Sequence, residues 1–169
     1  MTPRLVVVGM PASGKSTVGQ GVAARLGVPF VDVDQLIEER TGKLIREIFS
    51  DDGEQAFRAI EEKVVLEALT GDGVVSLGGG AVLSARIRDA LRGIPVVWLQ
   101  VSVATATRRA GLNQLRPLLL GDVRARMEAL LEERRHLYEG VATIQISTER
   151  ITPAALAEAI VAALGEKDA

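Results

Sequence analysis

The feature that most limits what this chain can fold into lies close to its start, where an apolar run leads into a glycine-rich segment. Residues 9–16 read Gly-Met-Pro-Ala-Ser-Gly-Lys-Ser, which satisfies the pattern G-x-x-x-x-G-K-[ST]. The apolar residues Val6–Val8 precede this segment, and a helix-like stretch, Ser16–Leu26, follows it. In such a context the glycines let successive backbone N–H groups turn towards one phosphate, and the helix adds its positive N-terminal end. The segment therefore predicts a phosphate-binding loop; the alternative is an accidental glycine-rich turn.

Short apolar runs alternate along the chain with longer stretches rich in Ala, Leu, Glu and Arg. The predicted strands are Val6–Val8, Phe30–Val31, Val74–Val75, Val96–Leu99 and Ala142–Ile146. The predicted helices are Ser16–Leu26, Gln35–Arg40, Glu54–Leu69, Ser84–Leu91, Ala104–Ala110, Val123–Tyr138 and Ala154–Leu164, the last with a Thr152 cap. Apolar runs without alternation are typical of strands buried on both faces of a parallel sheet. The order predicts an α/β fold in three layers, with a doubly wound sheet of five parallel strands.

Nothing in the sequence divides the chain, so we expect residues 1–169 to form one domain. Two segments are less regular: Thr41–Gly53, which is punctuated by Gly and Asp, and Gly111–Asp122, which holds Asn, Pro and Gly. Insertions that follow strand ends in such folds are where mobile, substrate-covering loops occur. We therefore expect the second segment to be a lid.

Composition excludes several classes of function. The chain has no Cys and one His, His136, which excludes thiol catalysis, Cys-ligated metal sites and multi-histidine metal sites. A net charge of −2 and 3% aromatic residues argue against a nucleic-acid stacking platform. No apolar stretch is long enough to span a bilayer or to form a signal-peptide core, so we expect a cytoplasmic protein without a membrane partner.

The phosphate loop alone does not define the substrate. The guanine-reading pattern N-K-x-D and the switch pattern D-x-x-G of GTPases are absent from the sequence. Large ATPases end an apolar strand with a metal-binding Asp, whereas here Val74–Leu77 runs into three glycines. A small-molecule kinase is the class that remains. In such an enzyme Lys15 would bridge the β- and γ-phosphates of ATP, and the Ser16 hydroxyl would bind Mg²⁺.

Two carboxylates follow the second predicted strand. Asp32 and Asp34 are two residues apart, so in a strand both would face the same side, at the edge of the sheet where ligands bind. One could hold the hydrated metal with Ser16, and the other could accept a proton from an acceptor hydroxyl. The alternative is a structural one, in which Asp34 caps the helix Gln35–Arg40.

Gly78, Gly79 and Gly80 directly follow the third predicted strand. Three glycines allow a ligand to approach the backbone closely, although they could also form a merely flexible connection. Arg58 and Arg134 lie in predicted helices, where most arginines are solvated surface groups.

Together these motifs closely resemble the shikimate kinase family. The resemblance rests on Asp32-Val-Asp34, Asp52-Gly-Glu with Phe57-Arg58 and Glu61, the triple glycine, Arg116-Pro-Leu, and Arg134 through Tyr138. It extends in order from about Leu5 to the last helix. It implies a P-loop NTPase fold in which the substrate-binding region covers about residues 32–61 and the lid about residues 111–122. It also implies ATP-dependent phosphorylation of the 3-hydroxyl of shikimate to give shikimate 3-phosphate and ADP, in the pathway to chorismate and the aromatic amino acids, by a protein expected to be a monomer.

The resemblance assigns a role to individual residues. The catalytic residues it implies are Lys15, Asp34 and Arg116. Those for ATP are Pro11, Ala12, Ser13, Gly14, Lys15, Ser16, Thr17, Arg109 and Arg116, with Arg109 against the adenine. Those for shikimate are Asp34, Phe49, Phe57, Arg58, Gly78, Gly79, Gly80 and Arg134, with both arginines on the carboxylate. Mg²⁺ would be held by Ser16 and, through water, by Asp32, while Glu61 would orient Arg58.

Two positions depart from the family pattern. Ala12 stands where glycine is frequent, and it fits there if its φ stays negative. His136 stands where many relatives have proline, and we expect a surface residue. Two other functions are open at this point: a small P-loop kinase of gluconate or a nucleoside monophosphate, and a non-catalytic nucleotide-sensing module. The first would not need the pair Arg58 and Arg134, and the second would not need Lys15.

Overall fold

A computed structural model of the chain describes residues 1–111 and 120–167. Five strands form one sheet: β1 (Leu5–Val8), β2 (Phe30–Asp32), β3 (Val74–Ser76), β4 (Val96–Gln100) and β5 (Ile144–Ser147). The helices are α1 (Lys15–Leu26), α2 (Val33–Thr41), α3 (Ile45–Asp52), α4 (Glu54–Ala68), α5 (Ala85–Ala90), α6 (Val103–Gly111), α7 (Leu120–Val141) and α8 (Pro153–Lys167), with a 3₁₀ turn at Ala81–Leu83.

The sheet has the order β2-β3-β1-β4-β5, and every neighbouring pair is parallel. The register pairs Val6 of β1 with Val75 of β3 and with Val96 of β4. Because the strand order reverses next to β1, the loop that follows β1 opens into the crevice where such sheets bind ligands. The prediction of a doubly wound sheet of five parallel strands is therefore confirmed.

The core divides between the two faces of the sheet. Along β1 the side chains alternate, so Val6 and Val8 join one apolar cluster while Leu5 and Val7 join the other. The second cluster is completed by buried residues of α1 and α8, whereas the first takes buried residues from α2 through α7. The helices thus form a layer on each face, and the central strands β1, β3 and β4 are buried on both sides, whereas the edge strands β2 and β5 are partly exposed. This explains why the sequences of the three central strands are apolar without alternation.

Two local expectations need correction. The segment Thr41–Gly53 is more regular than the sequence suggests, since it contains the helix α3 between Gly42 and Gly53. The residue that caps α2 is not Asp34 but Asp32, whose Oδ1 accepts from the backbone N–H of Gln35 at 3.2 Å. Strand β2 ends at Asp32, two residues before Asp34, so Asp34 lies in the first turn of α2 and not in the strand that the alternation argument requires. The cap at Thr152 is confirmed, because its Oγ1 accepts from Ala155 N–H at 3.1 Å.

No helix in the described part of the chain is long and apolar enough to cross a membrane.

Candidate active site

The phosphate loop runs from the end of β1 to the start of α1. Gly14 is the N-cap of α1, with a φ of +85°, and the helix begins at Lys15 without a side-chain cap, so its first N–H groups face outwards into the cleft. The Lys15 ammonium group donates to the Met10 carbonyl at 2.9 Å, which holds it over the loop. Beside the loop lies a cavity of about 340 Å³. Its lining residues are Pro11, Ala12, Gly14, Lys15, Ser16, Thr17, Asp32, Asp34, Ser76, Leu77 and Gly79.

Ala12 adopts a conformation that the sequence argument did not expect. Its φ is +64°, in the left-handed region, so the condition under which alanine fits this position without strain is not met. The left-handed conformation brings Cβ too close to the following carbonyl oxygen and costs roughly 1–2 kcal/mol in a residue other than glycine. The Ala12 carbonyl accepts from the Nη1 of Arg109 at 3.0 Å. The turn of the loop therefore forces alanine into the backbone geometry that glycine adopts freely.

Ser16 and Asp32 meet at the bottom of the cleft. The Ser16 hydroxyl donates to Oδ2 of Asp32, while the other carboxylate oxygen caps α2. A hydroxyl and a carboxylate oxygen in contact, next to a phosphate cavity, are the hard oxygen donors that Mg²⁺ takes from a protein when substrate phosphates and water supply its other ligands. The two residues thus fit the metal that the sequence predicts for them.

Lys15 and Asp34 are electrostatically coupled across this cavity. Burial lowers the pKa of Lys15 to about 8, although the carboxylates of Asp34 and Asp32 oppose the change. Burial also raises the pKa of Asp34 above its ordinary value, the charge of Asp32 adds to that rise, and Lys15 opposes it. The pKa values of both groups are therefore shifted towards neutral pH, as is typical of groups that exchange protons in an active site.

The three consecutive glycines after β3 each make room for a different side chain. A Cβ atom on Gly78 would lie 2.6 Å from Oδ1 of Asp34 and 3.1 Å from Oε2 of Glu61, and one on Gly79 would lie 2.9 Å from Cδ of Pro11. A Cβ on Gly80 would lie 2.6 Å from Cζ of Arg58. The glycines are therefore required by close approach, and the alternative of a merely flexible connection does not describe them.

Arg58 is held in place on three sides. Its Nη1 donates to Oε1 of Glu61 at 2.9 Å, and Glu61 is itself only 2% exposed. Its guanidinium group also lies 5.8 Å from the ring centroid of Phe49 and 5.3 Å from that of Phe57. The buried Nε atom has no hydrogen-bond partner among the described residues. The cation is fixed by its surroundings, yet it keeps hydrogen-bonding capacity for a ligand.

Arg134 is a buried cation without an ion-pair partner among the described residues, although its charge opposes the rise that burial causes in the pKa of the nearby Glu61 carboxyl. It is 7% exposed, its Nε has no hydrogen-bond partner, and no carboxylate within residues 1–111 and 120–167 forms an ion pair with it. Burying an unpaired charge is costly, which is why such a group usually awaits a counter-ion. Arg134 is therefore the strongest candidate in the described structure for binding an anionic group of a ligand.

Tyr138 lies one helical turn after Arg134 and was not among the residues that sequence reasoning assigned to the site. It is fully buried, and its hydroxyl donates to the Gly79 carbonyl at 2.6 Å. Its ring stacks on Trp98, with centroids 5.7 Å apart. The available signal was that the only tyrosine of the chain follows Arg134 at a spacing that places both on one face of a helix.

Two phenylalanines that the sequence assigns to the substrate pocket lie against one another. The ring centroids of Phe49 and Phe57 are 4.8 Å apart, and Phe57 is buried whereas Phe49 is half-buried. Together they form an apolar wall beside the Arg58 guanidinium, a surface suited to a carbon ring.

A second cavity, of about 390 Å³, lies on the other side of the phosphate loop. It is lined by Ala12, Ser13, Gly14, Thr17, Val18, Arg109, Thr148, Ile151, Pro153 and Leu156. Ser13 is buried, with a hydroxyl that has no described partner, and Thr17 is exposed. The phosphate loop, the residue after β5 and the start of α8 thus leave an apolar slot next to the phosphate site, with Arg109 near the end of α6 over one side.

The remaining predicted positions divide into two groups. Arg116 lies outside the described residues, as does most of the segment 111–122 that was predicted to be a lid. His136 is an exposed residue of α7, as expected.

The fold and the site together define a class of protein. A nucleotide phosphate loop, an oxygen-donor metal position, an acid–base pair and arginines around a separate pocket are the parts of a P-loop kinase that phosphorylates a small molecule.

Comparison with known proteins identifies the family. Residues 11–165 match the family model described as shikimate kinase. A shikimate kinase of Mycobacterium avium is 52% identical over 100% of this chain and 97% of its own length, and one of Thermobifida fusca is 51% identical over 94% of this chain and 92% of its own length. A solved structure of the Acinetobacter baumannii shikimate kinase in complex with shikimate superposes with a TM-score of 0.91 at 33% identity, over 99% of this chain and 94% of that one.

The chain belongs to the shikimate kinase family. The activity of that family is the kinase activity on shikimate in the shikimate pathway, and membership implies the use of ATP. The prediction of a shikimate kinase is therefore confirmed. A gluconokinase of Sinorhizobium meliloti, at 22% identity and a TM-score of 0.64, shares the fold alone.

Proposed function

We propose that this chain transfers the γ-phosphoryl group of ATP to the 3-hydroxyl of shikimate, giving shikimate 3-phosphate and ADP. One observation carries the proposal. The three glycines of the loop 78–80 bring Asp34, Arg58 and, through Tyr138, the helix of Arg134 against one short segment of backbone. A carboxylate and two cations thus converge beside the phosphate cavity, which suits an acceptor that carries both hydroxyl groups and a carboxylate.

The arginines recognise the carboxylate of the substrate. A guanidinium group offers a planar pair of donors that matches a carboxylate, and both Arg58 and Arg134 have donor capacity that no described protein group uses. Phe49 and Phe57 cover the carbon ring from one side. With its carboxylate held by the arginines, the ring presents its hydroxyls to Asp34.

Phosphoryl transfer then depends mainly on positioning and on neutralising charge. Lys15 places a cation beside the phosphates, and Asp34 accepts a hydrogen bond from the 3-hydroxyl. The hydroxyl oxygen forms the new bond to the γ-phosphorus as the bond to the ADP oxygen breaks, and the hydroxyl proton passes to the Asp34 carboxylate. The raised pKa of Asp34 favours that last step. Arg116 is proposed to reach the transferring phosphates from the lid segment.

Ser16 and Asp32 would hold Mg²⁺, with Asp32 acting through water. The metal supplies charge neutralisation at the phosphate oxygens when it is bound. Ser16 and Asp32 are fixed for this purpose by their own hydrogen bond and by the start of α2.

The nucleotide would extend from the phosphate cavity into the slot on the other side of the loop, with the adenine next to Arg109. Ala12, Ser13, Gly14 and Thr17 line that slot, and Pro11 lines the phosphate side. We further propose that the whole chain works as one domain and as a cytoplasmic monomer.

A coupled assay of ADP formation tests the proposal. The purified protein, MgATP and either shikimate, gluconate or a nucleoside monophosphate are compared at equal concentrations up to the millimolar range. We expect turnover with shikimate alone. No turnover with shikimate, or faster turnover with gluconate, overturns the proposed acceptor, and Lys15→Met provides the inactive control.

A further inference from the structure

The hydroxyl of Tyr138 reaches the backbone of the loop 78–80 from within the apolar core. Tyr138 is fully buried and donates to the Gly79 carbonyl at 2.6 Å. Burial raises the pKa of this hydroxyl, while the charge of Arg134 and the hydrogen bond that its guanidinium group donates to the hydroxyl oxygen oppose the rise only in part, so the group stays protonated and remains a donor at neutral pH. The ring is fixed in turn by stacking on Trp98.

That hydrogen bond determines how the next peptide group is oriented. The Gly79 carbonyl and the Gly80 N–H belong to the same peptide unit, and the described chain contains no cis peptide bond. In a trans peptide these two groups point in opposite directions. The Gly80 N–H therefore points away from Tyr138.

The Gly80 N–H also lacks a partner. Gly80 is buried, and neither backbone nor side-chain acceptors in the described structure accept from its N–H, although its own carbonyl accepts from Leu83 N–H at 3.1 Å. Buried backbone donors without a partner are rare, because each one forfeits the hydrogen bond it made to water. A donor held in this way next to Arg58 is available to an acceptor from outside the protein.

We propose that Tyr138 is a positioning residue for shikimate binding: through the Gly79 carbonyl it holds the Gly79–Gly80 peptide so that the Gly80 N–H faces the substrate. Glycine has the widest freedom of φ and ψ, so two consecutive glycines would not hold this orientation by themselves. Because Arg134 and Tyr138 share one face of α7, the same helix supplies a cation for the substrate and fixes the backbone donor beside it. This inference rests on the proposed function and adds a residue to it.

The variant Tyr138→Phe removes the hydroxyl and keeps the ring on Trp98. In the active enzyme we expect the KM for shikimate to rise about tenfold, the loss typical of one well-placed hydrogen bond, with the KM for ATP unchanged. A residue with a merely structural role would alter thermal stability or lower kcat, without a selective change in the KM for shikimate.

A matched control removes a hydroxyl that contacts backbone far from the cleft. The Thr143 Oγ1 bonds both to the Val96 N–H, at 2.9 Å, and to the Val96 carbonyl, at 3.2 Å, near the start of β4. Thr143→Val is expected to leave the KM for shikimate unchanged within twofold.

A second readout needs no substrate. In the unliganded protein, ¹⁵N relaxation of the Gly80 amide should report a rigid group in the unaltered chain and a more mobile one in Tyr138→Phe. An unchanged Gly80 order parameter overturns the proposal, and so does a changed one accompanied by an unchanged KM for shikimate. If the unaltered enzyme does not phosphorylate shikimate at all, the proposed function fails and this role of Tyr138 fails with it. If the unaltered enzyme is active and Tyr138→Phe has the same KM for shikimate, only the role of Tyr138 is wrong.

Discussion

The guanidinium group of Arg58 lies directly against the backbone of Gly80, in the space that a side chain at position 80 would need. A Cβ atom there would stand 2.6 Å from Cζ of Arg58 and closer still to both terminal nitrogens, whereas real Cβ atoms essentially never come within 3.0 Å of a neighbour. Glu61 and the two phenylalanines hold the guanidinium group from its other sides. The loop and the arginine therefore determine each other's position.

Gly80→Ala is expected to displace Arg58 and to weaken shikimate binding. We expect the KM for shikimate to rise by about tenfold or more, since a charge-assisted hydrogen bond is lost, while the KM for ATP stays within twofold. Steady-state kinetics with each substrate varied in turn measure both values. Gly140→Ala is the control, because a Cβ at that position in α7 meets nothing within 4 Å. An unchanged KM for shikimate in Gly80→Ala would contradict the packing argument.

Arg134→Met is expected to stabilise the protein and to weaken shikimate binding. The methionine keeps an apolar stem but removes a buried cation that has no ion pair in the described structure, so the free energy of unfolding should rise by about 1 kcal/mol or more. The KM for shikimate should rise roughly 30-fold, as for loss of a hydrogen-bonded charge pair, with little change in the KM for ATP. The control is Arg135→Met, which makes the same substitution at the exposed neighbouring residue.

Thermal unfolding with and without shikimate checks the same prediction. A ligand that binds only the folded state raises the Tm, so shikimate should stabilise the unaltered chain and Arg135→Met but not Arg134→Met. Equal stabilisation of all three by shikimate would show that Arg134 does not bind its carboxylate.

Ala12→Gly is expected to stabilise the protein. Ala12 has a φ of +64°, a conformation that costs alanine roughly 1–2 kcal/mol, and glycine avoids that cost at the expense of a larger loss of backbone entropy. The net gain in the free energy of unfolding should be about 0.5–1 kcal/mol. Ala24→Gly, at an exposed position inside α1, should instead destabilise by about 1 kcal/mol. Denaturant unfolding of both variants measures the difference, and destabilisation by Ala12→Gly would refute the strained conformation.

The pH dependence of ATP use should reflect Lys15. Burial lowers its pKa to about 8, so in the free enzyme the ammonium group loses its charge as the pH rises through 8 rather than near 10.5. We expect kcat/KM for ATP to fall above pH 8, by up to tenfold for each pH unit, because that ratio reports groups of the free enzyme. In Lys15→Arg, which keeps its charge, any remaining activity should lack this decline. A flat profile between pH 7 and 10 in the unaltered enzyme would contradict the assignment.

The effect of Lys15 on stability has the opposite dependence on pH to its effect on kcat/KM for ATP. The unfolded chain binds the Lys15 proton up to about pH 10.5, and the folded chain releases it near pH 8. Between these values the unfolded state holds more protons, so the contribution of Lys15 to the free energy of unfolding rises with pH. Below pH 8 the buried charge is a constant cost.

Much of the fold could be predicted because the three central strands are buried on both faces. The apolar runs that become β1, β3 and β4 need no alternation, and the helices between them have ordinary lengths and composition. The phosphate loop was predictable for a similar reason, since its pattern describes a backbone geometry. The segment that becomes α3 was harder to predict, because glycines at both of its ends look like a loop when their role as helix boundaries is not known.

The details that the sequence could not supply depend on tertiary contacts. In the sequence alone, Asp32 and Asp34 are equally good helix caps. Asp32 becomes the cap because β2 ends there and α2 begins at the next residue. The φ of Ala12 follows from the path of the loop between β1 and α1, which overrides the preference of alanine. The contact between Tyr138 and Gly79 joins residues 59 positions apart, and no local pattern indicates it.

The most direct test of the central claim is to identify the phosphorylated product. The purified enzyme is incubated with MgATP and shikimate, and ³¹P–¹H correlation NMR then locates the new phosphate ester. We expect a single product with the phosphorus coupled to the proton on carbon 3, formed in equal amount to ADP, and its absence when Lys15→Met replaces the enzyme. A phosphate at another hydroxyl, or ADP formed without a shikimate ester, would contradict the account.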